Sequence, residues 1–214
     1  MKTRDRILVT SLELFNLCGE PNVTTIDIAN EMDISPGNLY YHFRNKDEII
    51  AELFQSFEES MLEVLQSPTD PGLDMMDYWM YVHMIFERMW EYRFLYRDPV
   101  TILERNEKLQ KKFNRILDKK QDAALSILRV MEEQSLISIS RDEAERLATN
   151  IALTATYWLN FQHIRHMGAQ GEPDDLEAGV HQVISHITPY LPAEGREMLE
   201  AVADTYLGAS SSEG

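Results

Sequence analysis

The sequence predicts an all-α protein: an N-terminal three-helix helix-turn-helix domain followed by a larger helical C-terminal domain. Three observations predict it. Apolar residues recur three and four positions apart in almost every segment, the period of one helix face. Gly and Pro, the strongest local breakers, number only 9 and 8 among 214 residues. Residues that cap helix N-termini stand at the head of successive segments. No run alternates with the period of a strand, and no internal repeat is present. A hydrophobic fraction of 44% suffices for one sizeable core, or for a small domain beside a larger one.

The elements follow in order. Ile7, Leu8, Ser11, Leu14 and Phe15 mark one face of a first helix, which Gly19 ends. Thr24 caps a short second helix, with Asp27 at capping-box spacing, ending near Met32-Asp33. Ser35 caps a third, with Pro36 at its first position, where a missing N–H costs nothing. That helix runs to about Phe43. Asn45 caps a fourth, with Glu48 three residues on, reaching about Gln66. Ser67 to Gly72 reads as a linker. Helices then span about Leu73–Tyr92, Asp98–Asn106, Glu107–Glu133, Ser140–Met167, Asp174–Tyr190 and Ala193–Tyr206, with a loop from Gly168 to Pro173. These elements divide the chain into residues 1–47, residues 48–208 and a small polar tail, 209–214, expected to be disordered.

Composition excludes several classes. No stretch of about 18 apolar residues occurs, so no membrane-spanning helix is expected. The N-terminus lacks the apolar core of a signal peptide. The single cysteine, Cys18, permits no intrachain disulfide and fits a reducing cytoplasm. No P-loop, nucleophile elbow or dinucleotide loop is present. Helical di-iron enzymes need paired Glu-x-x-His motifs on facing helices, and no such pair occurs. His163 and His166 are three apart, yet without a Cys or carboxylate cluster they make a poor metal site. No enzyme activity, cofactor or metal is expected.

The net charge of −16 speaks against DNA at first sight, because phosphate neutralisation needs cations. The charge is uneven. Residues 1–48 hold 5 Lys/Arg against 8 Asp/Glu, and the remainder 15 against 28. Most of the excess acid therefore lies outside the helix-turn-helix. Affinity for DNA would rest on a few placed cations and on backbone N–H groups. The basic stretch Lys111, Lys112, Arg115, Lys119 and Lys120 reads as a solvated helix face.

The informative stretch is Val23 to Ile49. Ile28, Ala29, Met32, Ile34, Leu39 and Phe43 can bury together, and Ala29 lets two short helices approach closely. Leu39 and Phe43 take the inner face of the third helix. Gly37, Asn38, Tyr41 and His42 fall on other faces, and Tyr40 borders the core. Two tyrosines and a histidine on so small a helix are hard to justify by packing. They suit a groove, where hydroxyls and ring nitrogens bond phosphates and rings touch thymine methyls. Lys46 lies in the first turn of the fourth helix, where the helix dipole disfavours a cation; a phosphate contact would explain it.

In this stretch the sequence resembles the tetracycline-repressor-like (TetR) regulators. The resemblance covers about Ile7 to Phe54. It rests on Ile7-Leu8 to Leu14-Phe15, Gly19, Thr24-Thr25, Ile28-Ala29, the run Ile34-Ser35-Pro36-Gly37-Asn38-Leu39-Tyr40-Tyr41-His42-Phe43, and Asn45 to Ile49. It implies a ligand-responsive, sequence-specific transcriptional regulator, a repressor that a small effector releases from a pseudo-palindromic operator. It implies Thr25, Pro36, Gly37, Asn38, Tyr40, Tyr41, His42 and Lys46 as the residues facing DNA. In some relatives a basic residue stands in the place of Ile26. Glu13, Asp27, Glu31 and Asp33 are expected to face away from phosphate.

The same resemblance implies a helical ligand domain and a homodimer joined through the last long helices. Trp79, His83, Phe86, Trp90, Tyr157, Trp158 and Phe161 are the candidate ligand residues, and their aromatic character points to a hydrophobic or aromatic effector. An aromatic stripe at helical spacing also suits plain core. The candidate dimer face combines Ile151, Ala155 and Trp158 with Val180, Val183, Ile184 and Ile187, which paired with their copies would form a four-helix interface.

Overall fold

A computed structural model describes residues 1–66, 72–166 and 176–210, with side chains to 205. Every regular element among the described residues is helical. The helices are α1 (Thr3–Cys18), α2 (Thr25–Glu31), α3 (Pro36–His42), α4 (Lys46–Val64), α5 (Met75–Glu91), α6 (Phe94–Arg97), α7 (Pro99–Glu104), α8 (Glu107–Glu133), α9 (Arg141–Arg165), α10 (Leu176–Ile184) and α11 (Ala193–Ser210). Short 3-10 turns cover Glu20–Asn22 and Ser185–Tyr190. The expected linker at 67–71 and the loop at 168–173 lie outside the described residues. Ala209 and Ser210, expected in the tail, continue α11. No helix among the described residues is long and apolar enough to cross a membrane.

The caps read from the sequence are formed. Thr24 and Asp27 bond reciprocally at the head of α2, Ser140 and Glu143 at the head of α9. These bonds hold the Asp27 and Glu143 carboxyls below their ordinary pKa. Asp74 and Asp77 form the same reciprocal pair before α5. Gly19 ends α1 at φ 81°, a conformation that favours glycine. Between α2 and α3 the chain turns through Asp33 at φ 53°. There Ile34 N–H donates to the Ala29 carbonyl and Asp33 N–H to that of Asn30, a Schellman-type closure.

The chain folds as two compact units, neither continuous in sequence. The first comprises 1–60 and 92–113, the second 61–91 and 114–214. This division differs from one at residue 47, because most of α4 and the segment through α6 and α7 belong with the N-terminal helices. In the first unit Ile7, Phe15, Ile28, Leu39, Phe43 and Phe54 are buried. The Phe57 ring packs 5.6 Å from Tyr92 and 5.8 Å from Tyr96. Asn16, buried, accepts a hydrogen bond from Phe94 N–H at 3.1 Å, which ties α6 to α1.

The second unit packs α10 against α5 and α9, and α11 against α5. Gly179 of α10 is a point of close approach to α5 and α9. A Cβ there would stand 2.7 Å from Phe86 Cε1 and 2.8 Å from Trp158 Cδ1. Gly179→Leu is expected to lower the unfolding free energy by about 1–3 kcal/mol through overpacking, despite the helix propensity that glycine forgoes. A lower urea midpoint at unchanged m-value checks it.

Candidate nucleic-acid interface and internal cavity

The helix-turn-helix exposes the faces of α3 that its core leaves free. Leu39 is fully buried and anchors α3 to α2. Pro36, Gly37 and Asn38 are exposed, as is Tyr40. Tyr41 is 85% exposed, so a large ring lies mostly in solvent. His42 is half-buried, its ring set edge-on 5.1 Å from that of Tyr41. The Tyr40 hydroxyl shares a 3.0 Å hydrogen bond with Thr25 Oγ1, which fixes the first residue of α2 beside α3. Seven of the eight residues assigned to DNA are thus exposed or half-buried, six on α3 and Thr25 bonded to one of them.

Lys46 is the eighth. Its Nζ donates to the carbonyls of Glu20 at 2.9 Å and Val23 at 3.0 Å, and lies 2.8 Å from Glu20 Oε1. The ammonium expected at phosphate is bonded within the protein in this structure. Glu20 is 1% exposed, and its other oxygen pairs with Arg105 at 2.9 Å. A buried carboxylate thus gives the cation in the first turn of α4 a second explanation. The N-terminus of α4 is fixed further by Glu48, whose N–H donates to Asn45 Oδ1 and whose carboxylate accepts from Arg44 N–H.

The candidate ligand residues occupy several environments. Trp79 and Phe86 are fully buried in the second unit's core. Trp79 Nε1 donates to Glu177 at 3.3 Å, and Glu177 lies 3.1 Å from His83 Nδ1. Trp90 and Trp158 are half-buried, while Tyr157 and Phe161 are about half exposed on α9. None of the seven lines a cavity found among α5, α8, α9 and α10.

That cavity, about 80 Å³, lies among α5, α8, α9 and α10. Its lining is apolar apart from Tyr78, Tyr81 and Lys120. Five of the seven candidate dimer residues, Ile151, Ala155, Val183, Ile184 and Ile187, line it. Val180 is fully buried in the core, and Trp158 packs against that core. These side chains are used within the protomer. The exposed apolar stripe of α9 lies on a different face, at Leu153, Tyr157, Phe161 and Ile164.

Lys120, expected on a solvated face, is 5% exposed. It follows the buried register Ile116, Ala123, Ala124, Leu128 along α8, so the helical period alone places it inward. Its Nζ lies 3.3 Å from Met89 Sδ and 3.4 Å from Thr156 Oγ1. Burial lowers its pKa to about 7. No cluster of three or more metal-binding side chains occurs among the described residues.

Comparison with known proteins agrees with this architecture. Residues 7–53 match the family model of bacterial regulatory proteins of the tetR family, and residues 56–199 that of a bacterial transcriptional repressor, TetR. A TetR-family transcriptional regulator of Marinobacter aquaeolei VT8 is 35% identical, with a TM-score of 0.84 over 96% of this chain and 99% of that one. The regulator QacR of Staphylococcus aureus is 40% identical over 60 residues, 28% of this chain and 31% of QacR. The probable acrEF/envCD operon repressor of Escherichia coli K12 is 30% identical over 74 residues, 35% of this chain and 33% of that protein. The match thus spans about a third of the length of these two curated relatives.

Proposed function

The chain belongs to the tetR family, whose members are transcriptional regulators and not enzymes, and from that premise we propose that it is a homodimeric repressor released from a pseudo-palindromic operator by a small hydrophobic or aromatic effector. The observation that carries the reading is the solvent-exposed Tyr41 on α3, beside Asn38 and a Tyr40 that Thr25 holds in place. In a dimer the two α3 helices would enter successive major grooves, roughly 34–36 Å apart. Thr25, Pro36, Gly37, Asn38, Tyr40, Tyr41 and His42 would meet the duplex. Lys46 would contribute by fixing the end of α4.

The α9 stripe Leu153, Tyr157, Phe161 and Ile164 supports dimerisation, since four large apolar side chains on one helix face leave a patch that a second copy would cover. Phe161→Glu is expected to shift the sedimenting species from dimer to monomer and to weaken DNA binding with it. An effector acts by binding one spacing of the two heads better than the other, and only that difference in affinity moves the population. The cytoplasm is the expected compartment.

The test is fluorescence anisotropy with a random-sequence duplex, titrated with salt. Binding at low salt that falls steeply as salt rises supports the reading, because phosphate contacts release counterions. A chain that ignores duplex DNA at low salt, after unfolding and refolding to remove any bound effector, contradicts it.

A further inference from the structure

The cavity among α5, α8, α9 and α10 offers little to a charge. Isoleucine, leucine, valine and alanine side chains, drawn from each of these helices in turn, make up most of its wall. Among the described residues no Asp, Glu, Arg or His lines it. Tyr78 and Tyr81 are in the lining, and burial raises the pKa of both, so they stay neutral. Lys120 also borders the cavity. Its Nζ contacts Met89 Sδ at 3.3 Å and Thr156 Oγ1 at 3.4 Å, and neither residue is in the lining. That amine is thus engaged with groups outside the wall. A carboxylate or ammonium entering the cavity would exchange its hydration for hydrocarbon, which is costly for any unpaired charge.

The same wall favours an uncharged apolar body. Water occupies an apolar cavity poorly, because it needs polar partners there. The atoms around such a space lack van der Waals neighbours on one side. A hydrocarbon supplies those contacts and at the same time leaves water. An apolar cavity of roughly 150 Å³ holds benzene, so a volume of about 80 Å³ suits a smaller body.

We propose that this cavity is the effector site and that the effector is a compact, uncharged, hydrocarbon-like molecule, with charged compounds of the same size excluded. The proposal rests on the effector-responsive reading above and narrows that effector to one chemical class.

Two small residues allow a test from the protein side. Ala124 of α8 and Ala155 of α9 are 8% and 7% exposed, and both line the cavity. A leucine at either position places protein hydrocarbon where the ligand would lie.

The experiment titrates the full chain in sealed cells with cyclopentane and isoprene, and with pivalate and tert-butylammonium as charged compounds of similar size. It reads the methyl NMR signals of Ile127, Val183 and Ile184, all in the lining, together with the melting temperature. The same compounds are added to the chain bound to duplex DNA. Both hydrocarbons are expected to shift those methyl signals, to raise the melting temperature with concentration, and to release DNA. The charged compounds are expected to bind about tenfold more weakly or worse. Ala124→Leu is expected to weaken hydrocarbon binding by about tenfold or more, and Ala155→Leu does the same should the first variant fail to fold. Ile184→Val is a mild core deletion that widens the cavity by one methylene. It is expected to fold and to move the preference from cyclopentane toward methylcyclopentane by about threefold or more. Pivalate or tert-butylammonium binding as tightly as cyclopentane overturns the proposal. So does hydrocarbon binding unchanged by the leucine in a folded chain, an unmoved preference in Ile184→Val, or no methyl shift at aqueous saturation. Hydrocarbon that binds in the cavity and leaves DNA bound overturns the effector role. A chain that takes up hydrocarbon and never binds duplex DNA fails the earlier reading instead, since uptake is read without DNA.

Discussion

Tyr41→Ala weakens binding to the chain's selected operator by about 10–100-fold, the 1–3 kcal/mol that a base-edge or phosphate contact supplies, while the melting temperature stays put. The two halves of this expectation come from one fact. Tyr41 is 85% exposed, so its ring contributes almost nothing to the core and its removal leaves no cavity. A tyrosine that served the fold would give the reverse pattern, a lower melting point and proportionate losses in every activity. Leu39, two residues earlier and fully buried, supplies that contrast within the same helix. Leu39→Ala is a core deletion and loses DNA binding only because the helix-turn-helix loosens.

Glu20→Ala costs about 2–3 kcal/mol of stability, somewhat below the roughly 3–5 kcal/mol of a fully buried pair broken on one side. The discount reflects the partners. Glu20 is 1% exposed, but the side chains of Lys46 and Arg105 are 21% and 39% exposed and can turn toward water. The loss appears in the denaturant midpoint. Its consequence for function runs through position. Lys46 joins α4 to the Glu20 and Val23 carbonyls just before α2, so the tie helps to set the first turn of α4 against the helix-turn-helix. Lys46→Met separates the two explanations of that lysine. If its ammonium binds phosphate directly, the salt slope of DNA binding falls by about one. If it serves the tie, stability falls and the slope holds.

Much of this fold was legible because its signals are local. Thr24 with Asp27, Ser140 with Glu143, and Pro36 after Ser35 are short-range hydrogen-bond and backbone constraints, and each marks the start of a helix as the sequence implies. The span of α8, Glu107 to Glu133, follows from an amphipathic pattern sustained over 27 residues. The four residues of α6 escaped, because one turn of Phe94-Leu95-Tyr96-Arg97 is too short to show a period. The 3-10 turn at Glu20–Asn22 escaped for the same reason.

The site was legible only in part. Exposed tyrosines on α3 are a local anomaly, visible once Leu39 and Phe43 are assigned to the core. What covers an apolar face is not a local property. Val183, Ile184 and Ile187 form a good stripe, but their partner is the protomer's own cavity wall. Lys120 was masked by its neighbours. Lys111, Lys112, Arg115 and Lys119 are a charged run, and counting charges hides that Lys120, four residues from both Ile116 and Ala124, is the buried one. Lys46 paired with Glu20, 26 residues away, which no spacing rule reveals.

The central claim is that α3 reads DNA, and the direct test is selection of bound duplexes from a random pool at low salt, run in parallel for the unmodified chain and Tyr41→Ala. The expected result is an enriched pseudo-palindrome with half-site centres about 10 base pairs apart or a multiple of that, absent from the Tyr41→Ala pool. Enrichment of the same sequence by both proteins, or of none by the unmodified chain stripped of bound effector, would contradict it.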